Sequence, residues 1–189
     1  MRIMGGMTGI LLLALGLPVV QGHAALPVAV QQSDGQNLRR IHDRLAKEVR
    51  HELLLLPFYD VFDNLEFSIE GVDTVVLAGQ VTRPTLRSDA ENVVKKLEGV
   101  GKVVNKIEVL PLSPNDDRIR AAVFRAVYST TGLDRYAFRA VPTIHIIVKN
   151  GHVTLVGAVG TQMDKSLAET AARGVSGVFS VTNNLRTDK

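Results

Sequence analysis

The 189-residue chain contains no cysteine and no tryptophan. Without thiols it has no disulfide framework, no thiolate zinc site, no iron–sulfur ligation and no cysteine nucleophile. It also has no N-terminal cysteine to acylate, so lipidation of the bacterial lipoprotein type is excluded. Aromatic residues make up only 5%. The formal net charge is just +3 despite a pI near 9.3, which is too small an excess for wholesale nucleic-acid binding. The apolar run at residues 9–20 is shorter than the roughly 20 residues a membrane-spanning helix needs.

What is present is an ordinary globular composition, 46% hydrophobic and 22% charged, unevenly spread. Arg2 precedes the apolar run, and Gly22 and Ala24 take the −3 and −1 positions of a signal-peptide cleavage site. Residues 1–24 therefore read as a signal peptide, cleaved after Ala24, that delivers a soluble protein to the periplasm. Because Arg2 is a lone basic residue, retention of the segment as an anchor is the alternative. Residues 25–37, with Pro27, Gln31, Gln32, Ser33, Asp34 and Gly35, lack sustained periodicity and read as a flexible leader.

Sliding the remainder by 78 positions lays it on itself without a gap. Arg40-Ile41 falls on Arg118-Ile119, and Val75, Leu77, Gly79 and Val81 fall on Val153, Leu155, Gly157 and Val159. Further on, Ser88, Ala90, Glu91, Gly99-Val100, Val103 and Asn105 meet Ser166, Ala168, Glu169, Gly177-Val178, Val181 and Asn183. Most of these matches are apolar, glycine or turn positions, the mark of a tandem duplication. The copies span residues 38–110 and 116–187, joined by a short linker at 111–115.

Each copy has one internal order. Ile41, Leu45, Val49 and Leu53 recur every fourth residue, as do Ile119, Val123 and Val127, which predicts an amphipathic helix. Asp116 or Asn115, after Pro114, is the expected N-cap of the second of these. Two short strands follow. In the second copy they are 144–149 and 152–156, joined by Asn150-Gly151, a strong type I′ hairpin signal. In the first copy the looser Gly71-Val72-Asp73 takes that place. Helices at 87–97 and 165–175 and final strands at 102–110 and 179–185 complete the pattern. The fold class is α+β: two αββαβ modules, each a three-stranded sheet with both helices on one face.

The segments Gly151-His152-Val153-Thr154-Leu155-Val156-Gly157-Ala158-Val159 and Gly177-Val178…Val181…Asn183…Leu185 resemble the BON family, the repeat of osmotically induced periplasmic and nodulation proteins. Thr74–Val81 and Gly99-Val100…Val103…Asn105…Ile107 resemble it in the first copy. That copy departs from the pattern at Asp73, where Gly151 stands in the second, and at Lys95-Lys96, which brings its binding competence into question. The resemblance implies tandem αββαβ modules of the bacterial envelope. It further implies phospholipid contact, envelope integrity, osmotic stress and, in some members, chaperone-like activity, without catalysis.

No catalytic constellation stands out. No Gly-x-Ser-x-Gly elbow and no Walker or dinucleotide glycine loop occurs. His145 and His152 face each other across the expected hairpin, yet no third ligand is placed for a metal. The expectation is a protein without enzymatic activity, cofactor or metal.

Charge divides unequally between the copies. Residues 38–112 carry 11 Lys and Arg against 12 Asp and Glu, whereas residues 113–189 carry 10 against 6. In the basic copy Arg135, Tyr136, Phe138 and Arg139 interleave cations with aromatics beside the helix bearing Arg120 and Arg125. Such a set suits a weak, peripheral contact with an anionic phospholipid surface, through the second module. The alternative set against it packs Tyr136 and Phe138 in the core and pairs the arginines with Asp116, Asp117 and Asp134. The second functional reading is a periplasmic chaperone or interaction module for envelope proteins, with no nucleic acid in either case.

Overall fold

A computed structural model describes residues 28–138 and 141–187. The signal-peptide assignment lies outside the described residues. The first module comprises α1 (Val28–Leu54), β1 (Asn64–Glu70), β2 (Thr74–Val81), α2 (Pro84–Val94), β3 (Lys102–Asn105) and β4 (Glu108–Val109). The second comprises α3 (Pro114–Tyr128), a 3₁₀ turn (Asp134–Ala137), β5 (Ile144–Lys149), β6 (His152–Val159), α4 (Gln162–Arg173) and β7 (Ser180–Thr187). In both, the hairpin is antiparallel and the last strand pairs in parallel with the hairpin's second strand. β3 and β4 both pair with β2 and form one strand position, broken at Lys106.

Each module buries one sheet face under its two helices. In the first, Leu45, Val49 and Leu53 of α1 meet Val75, Leu77 and Val81 of β2, with Leu86, Ala90 and Val94 of α2. In the second, Ile119, Val123 and Val127 meet Val153, Leu155 and Val159, with Ala168 and Ala172. The small alanines let α4 lie close to the sheet. A fully buried valine or leucine contributes about 1.5–3 kcal/mol, so these stripes supply most of each module's stability.

A polar device repeats in both copies. Asn105 donates to the Arg87 carbonyl and the Glu91 carboxylate, while its own side-chain oxygen accepts from the Ile107 N–H. Asn183 does the same with Lys165, Glu169 and Leu185. One amide thus ties the last strand to the helix above it.

The helices start earlier than their apolar spacing indicates. Pro84 opens α2 at its first turn, and Thr161 caps α4 by accepting from the Asp164 N–H at 3.1 Å. Ser113, not Asp116 or Asn115, caps α3. Asp116 is instead buried, and its carboxylate accepts from the N–H groups of Asn150 and Gly151 at 2.9 and 2.8 Å. Residues 28–37 are helical, not an irregular leader. Once Leu45, Val49 and Leu53 anchor the helix, adding residues is cheap, and the roughly 1 kcal/mol cost of Gly35 does not stop it.

The repeat is not gapless. Leu77 stands opposite Phe67, but its counterpart Leu155 stands opposite Ile146. β1 therefore corresponds to β5 at an offset of 79, because the Gly71-Val72-Asp73 turn holds one residue more than Asn150-Gly151. The glycines confirm this register. A Cβ on Gly79 would lie 2.1 Å from the Asn64 carbonyl oxygen, and one on Gly157 would lie 2.0 Å from that of Thr143.

Candidate functional site

Of the six residues singled out for lipid contact, the five that are described do not form one surface. Arg120 is only 5% exposed, and its guanidinium is spent on Asp117 at 2.5 Å and the Val148 carbonyl at 2.8 Å. It is a structural bridge from α3 to β5, and this corrects its assignment to a binding surface. Tyr136 is half-buried against the second core, as the alternative reading held, and its hydroxyl donates to Asp164 and accepts from the Gly160 N–H. Arg135 pairs with Asp164 at 2.6 Å rather than with Asp134. Burial pushes the Asp164 carboxyl up, but hydrogen bonds from Thr161 and Tyr136 and the Arg135 guanidinium together hold it below the usual range. Arg125 is exposed at the end of α3, Phe138 is 83% exposed, and Arg139 lies outside the described residues.

The Asp164 network fixes the 3₁₀ turn against the start of α4. Phe138, just after the turn, and exposed Met163, in the first turn of α4, therefore emerge at the same end of the module. Among the described residues, this end presents the exposed side chains of Phe138 and Met163 beside Arg135, which is paired with Asp164.

The histidines are separated. His145 stands opposite Val156 and His152 opposite Lys149, on the same sheet face but four residue pairs apart along the ladder. His152 bonds the Ser180 hydroxyl at 2.7 Å. Among the described residues no group of three or more His, Asp or Glu side chains is placed to hold a metal.

The feature that pattern reading missed is the seam between the modules. The loop from Leu56 to Asp63 crosses from the first module to the β5 edge of the second. There the Ile146 N–H donates to the Val61 carbonyl at 2.8 Å. The Val61 side chain is buried in the second module's core, and Phe62 packs edge-on against Phe124. Tyr59 stacks on His145 with ring centres 5.7 Å apart, and Lys149 pairs with Glu108 at 2.5 Å. Asp63, fully buried, holds the loop's shape by accepting from both the N–H and hydroxyl of Thr82. Burial pushes the His145 imidazole below its ordinary 6.5 and the Tyr59 hydroxyl up to about 12.

Beside this seam lies a cleft of about 630 Å³. Leu53 and Leu54 of α1, Leu65 and Phe67 of β1, and His145 and Val156 of the second sheet line it, with Arg50 and Arg186 also on its walls. No periodic signal in the sequence marks the seam or the cleft, since single residues from distant segments build them.

A family model described as BON domain matches residues 41–111 and, again, 115–189. The chain belongs to the BON family. Each match covers one αββαβ module, so the family's repeat is the structural unit seen here. The chain is 32% identical over 131 residues to osmotically-inducible protein Y of Escherichia coli (strain K12). That alignment covers 66% of this chain and 65% of the relative, just under two thirds of its length. Among solved structures, the C-terminal domain of CdsD, the structural protein of the Type III secretion system of Chlamydia trachomatis, is 12% identical. It covers 77% of this chain and 98% of that one at a TM-score of 0.31, a likeness too slight to carry an argument. Among the described residues of this BON protein, no helix is long and apolar enough to cross a membrane.

Proposed function

We propose that this BON protein is a non-catalytic module of the bacterial envelope that touches anionic phospholipid through the Phe138 end of its second domain. The observation that carries the reading is a phenyl ring left 83% exposed on a turn that Asp164 holds rigid. Burying such a ring in the headgroup layer gains about 1.5–3 kcal/mol. Met163 adds apolar area, and Arg125 and Arg135 each add about 1 kcal/mol near an anionic surface, less for Arg135 because Asp164 offsets it. The sum fits weak, reversible, salt-sensitive contact rather than anchoring. Similarity to an osmotically-inducible protein supports a role under osmotic stress, which this reading places at the envelope. Export to the periplasm by a cleaved signal peptide belongs to the same reading, and the mature N-terminus should then be Ala25.

Co-sedimentation with vesicles tests the contact. Phe138→Ser should weaken binding at least fivefold with the melting temperature unchanged. Arg125→Ser with Arg135→Ser should abolish any preference for phosphatidylglycerol over phosphatidylcholine vesicles. Equal binding of the unaltered protein to both vesicle types would overturn the reading. The chaperone or interaction role is supported by a different observation, the open edge of β1.

A further inference from the structure

We propose that the outward edge of β1, inside the cleft between the modules, accepts an extended segment of an acidic, partly apolar partner polypeptide as an added strand. The inference gives the protein-interaction reading a site and a partner class, and it stands apart from the lipid reading.

The backbone directions identify the edge. Leu77 stands opposite Phe67, yet the Leu77 carbonyl accepts from the Lys106 N–H at 2.8 Å, on the side away from β1. Phe67 therefore turns its own N–H and carbonyl away from β2, and Leu65 and Ile69, two residues either side, do likewise. Tyr59 faces the Leu65 N–H with its hydroxyl. Outside the β1–β2 pairing, no hydrogen bond among the described residues uses the N–H of Phe67 or Ile69. An edge of this kind is ordinarily covered or guarded by proline, lysine or a bulge. β1 (Asn64–Glu70) carries neither proline nor lysine, and it pairs with β2 without a bulge.

The molecule itself shows what such an edge does. Ile146 is the structural counterpart of Phe67, and its outward N–H is taken by the Val61 carbonyl. The same edge position is thus occupied from within the chain in one module and left open in the other. The open one borders a cleft of a size that binds ligands, with exposed Leu54 and half-buried Leu65 and Phe67 to receive apolar side chains. Main-chain bonds would supply affinity there and side-chain pockets the choice of sequence.

Charge indicates the partner's sign. Arg50 and Arg186, both exposed on the cleft, have no ion pair among the described residues. Glu66, the one acidic side chain on the cleft wall, already accepts from the Asn64 amide. Two guanidiniums with no carboxylate partner among the described residues, that of Arg50 lying 6.0 Å over the Phe67 ring, against one engaged carboxylate favour acidic residues in the incoming strand.

The test uses the full chain and two fluorescein-labelled heptapeptides, one alternating valine with glutamate and the other valine with lysine. The glutamate peptide should bind at least tenfold tighter by anisotropy. At saturation it should slow amide hydrogen exchange at Phe67 and Ile69 at least tenfold. Placing proline at its central valine should remove most binding, because an added strand needs that N–H. Arg50→Glu with Arg186→Glu should reverse the peptide preference without changing the melting temperature or vesicle binding. No binding at millimolar peptide, equal binding of both peptides, or binding without protection at Phe67 and Ile69 would each overturn the proposal. So would concentration-dependent protection of those amides in the peptide-free protein, which would make a second copy the occupant. Suppression of client aggregation in lipid-free buffer that persists in the double variant would retain an interaction role and still reject this site.

Discussion

In the second module the hairpin turns through Asn150 and Gly151, with φ of 53° and 77°, and the buried Asp116 carboxylate takes the N–H of each. In the first, three residues make the turn, and the position of Asp116 is held by Leu38, which is 38% exposed. The extra residue displaces β1 by one relative to its counterpart. At the far end of the same strands, one module's edge is sealed by Val61 and the other's faces a cleft. The duplication has kept helices, glycines and the strand-tying asparagine fixed while the hairpin end diverged. Both cores are built largely from what the copies share, while the hairpin end and the loop before the first strand are where they differ.

A second contrast explains how the first copy tolerates Asp73. The backbone carbonyls of Asp73 and Gly151 perform the same task, accepting from the N–H of Gly101 and Phe179 at 2.9 Å. A Cβ on Gly101 would lie 1.9 Å from the Asp73 carboxylate, and one on Gly151 would lie 2.6 Å from the Phe179 ring. Each copy thus pairs one small residue with one large, in opposite order. The fold therefore accommodates Asp73, whose bulk is matched by a glycine across the turn.

The shared features should break both modules alike. Gly79→Ala and Gly157→Ala each force a side chain onto a backbone carbonyl at φ of 112° and 121°. Each should cost about 3–5 kcal/mol in urea unfolding. A loss below ~1 kcal/mol in either would show that the strand register is wrong. Next, Gly101→Phe should cost about 2–3 kcal/mol in the first module, and adding Asp73→Gly should restore at least ~1 kcal/mol of it. Simple additivity in that double-mutant cycle would refute the exchange of bulk. Asp116→Ala should destabilise by about 2 kcal/mol, the value of charged hydrogen bonds to two buried amides, and should speed exchange at Gly151 first. Leu38→Ala, its positional partner, should change stability by less than ~0.5 kcal/mol.

The smallest effect concerns the seam and pH. His145 is held below its ordinary 6.5 mainly by burial, against the pull of the Asp63 and Asp60 backbone and the Asp60 carboxylate. The docked state therefore favours the neutral ring. Its contribution is complete above pH 6.5 and is lost as the pH falls below that value. The Asp60 carboxyl beside it is itself pushed up, mainly by burial. Exchange of the Ile146 amide should accelerate a few-fold between pH 7.5 and 5.5, after correction for intrinsic rates. A flat profile would remove His145 from the seam's energetics.

The architecture was legible because repeated residues carry it: Gly79 with Gly157, Asn105 with Asn183, and the four-residue helical spacing of valine, leucine and isoleucine. Phe138 was legible as an aromatic amid charge. Arg120 was not, because nothing in its neighbours indicates that Val148, 28 residues away, would take its guanidinium. The early starts of α2 and α4 escaped notice since caps and prolines, not apolar spacing, set them. The cleft and the β1 edge depend on a one-residue offset that a gapless comparison hides. The identity of Ile69 with Ile147 even argues for the wrong register, since Ile147 lies on the opposite sheet face from its inward neighbours.

Val61 has a consequence for how the two halves can live apart. It is encoded in the first copy and completes the interior of the second. A chain cut at residues 111–115 would leave the second half with a hollow and an unanswered amide, and the first with an uncovered valine. The covalent boundary and the folding boundary therefore fall in different places. Gene duplication ordinarily yields a spare, but a half that lends a core residue to its sibling is not one: each should lose stability when separated from the other.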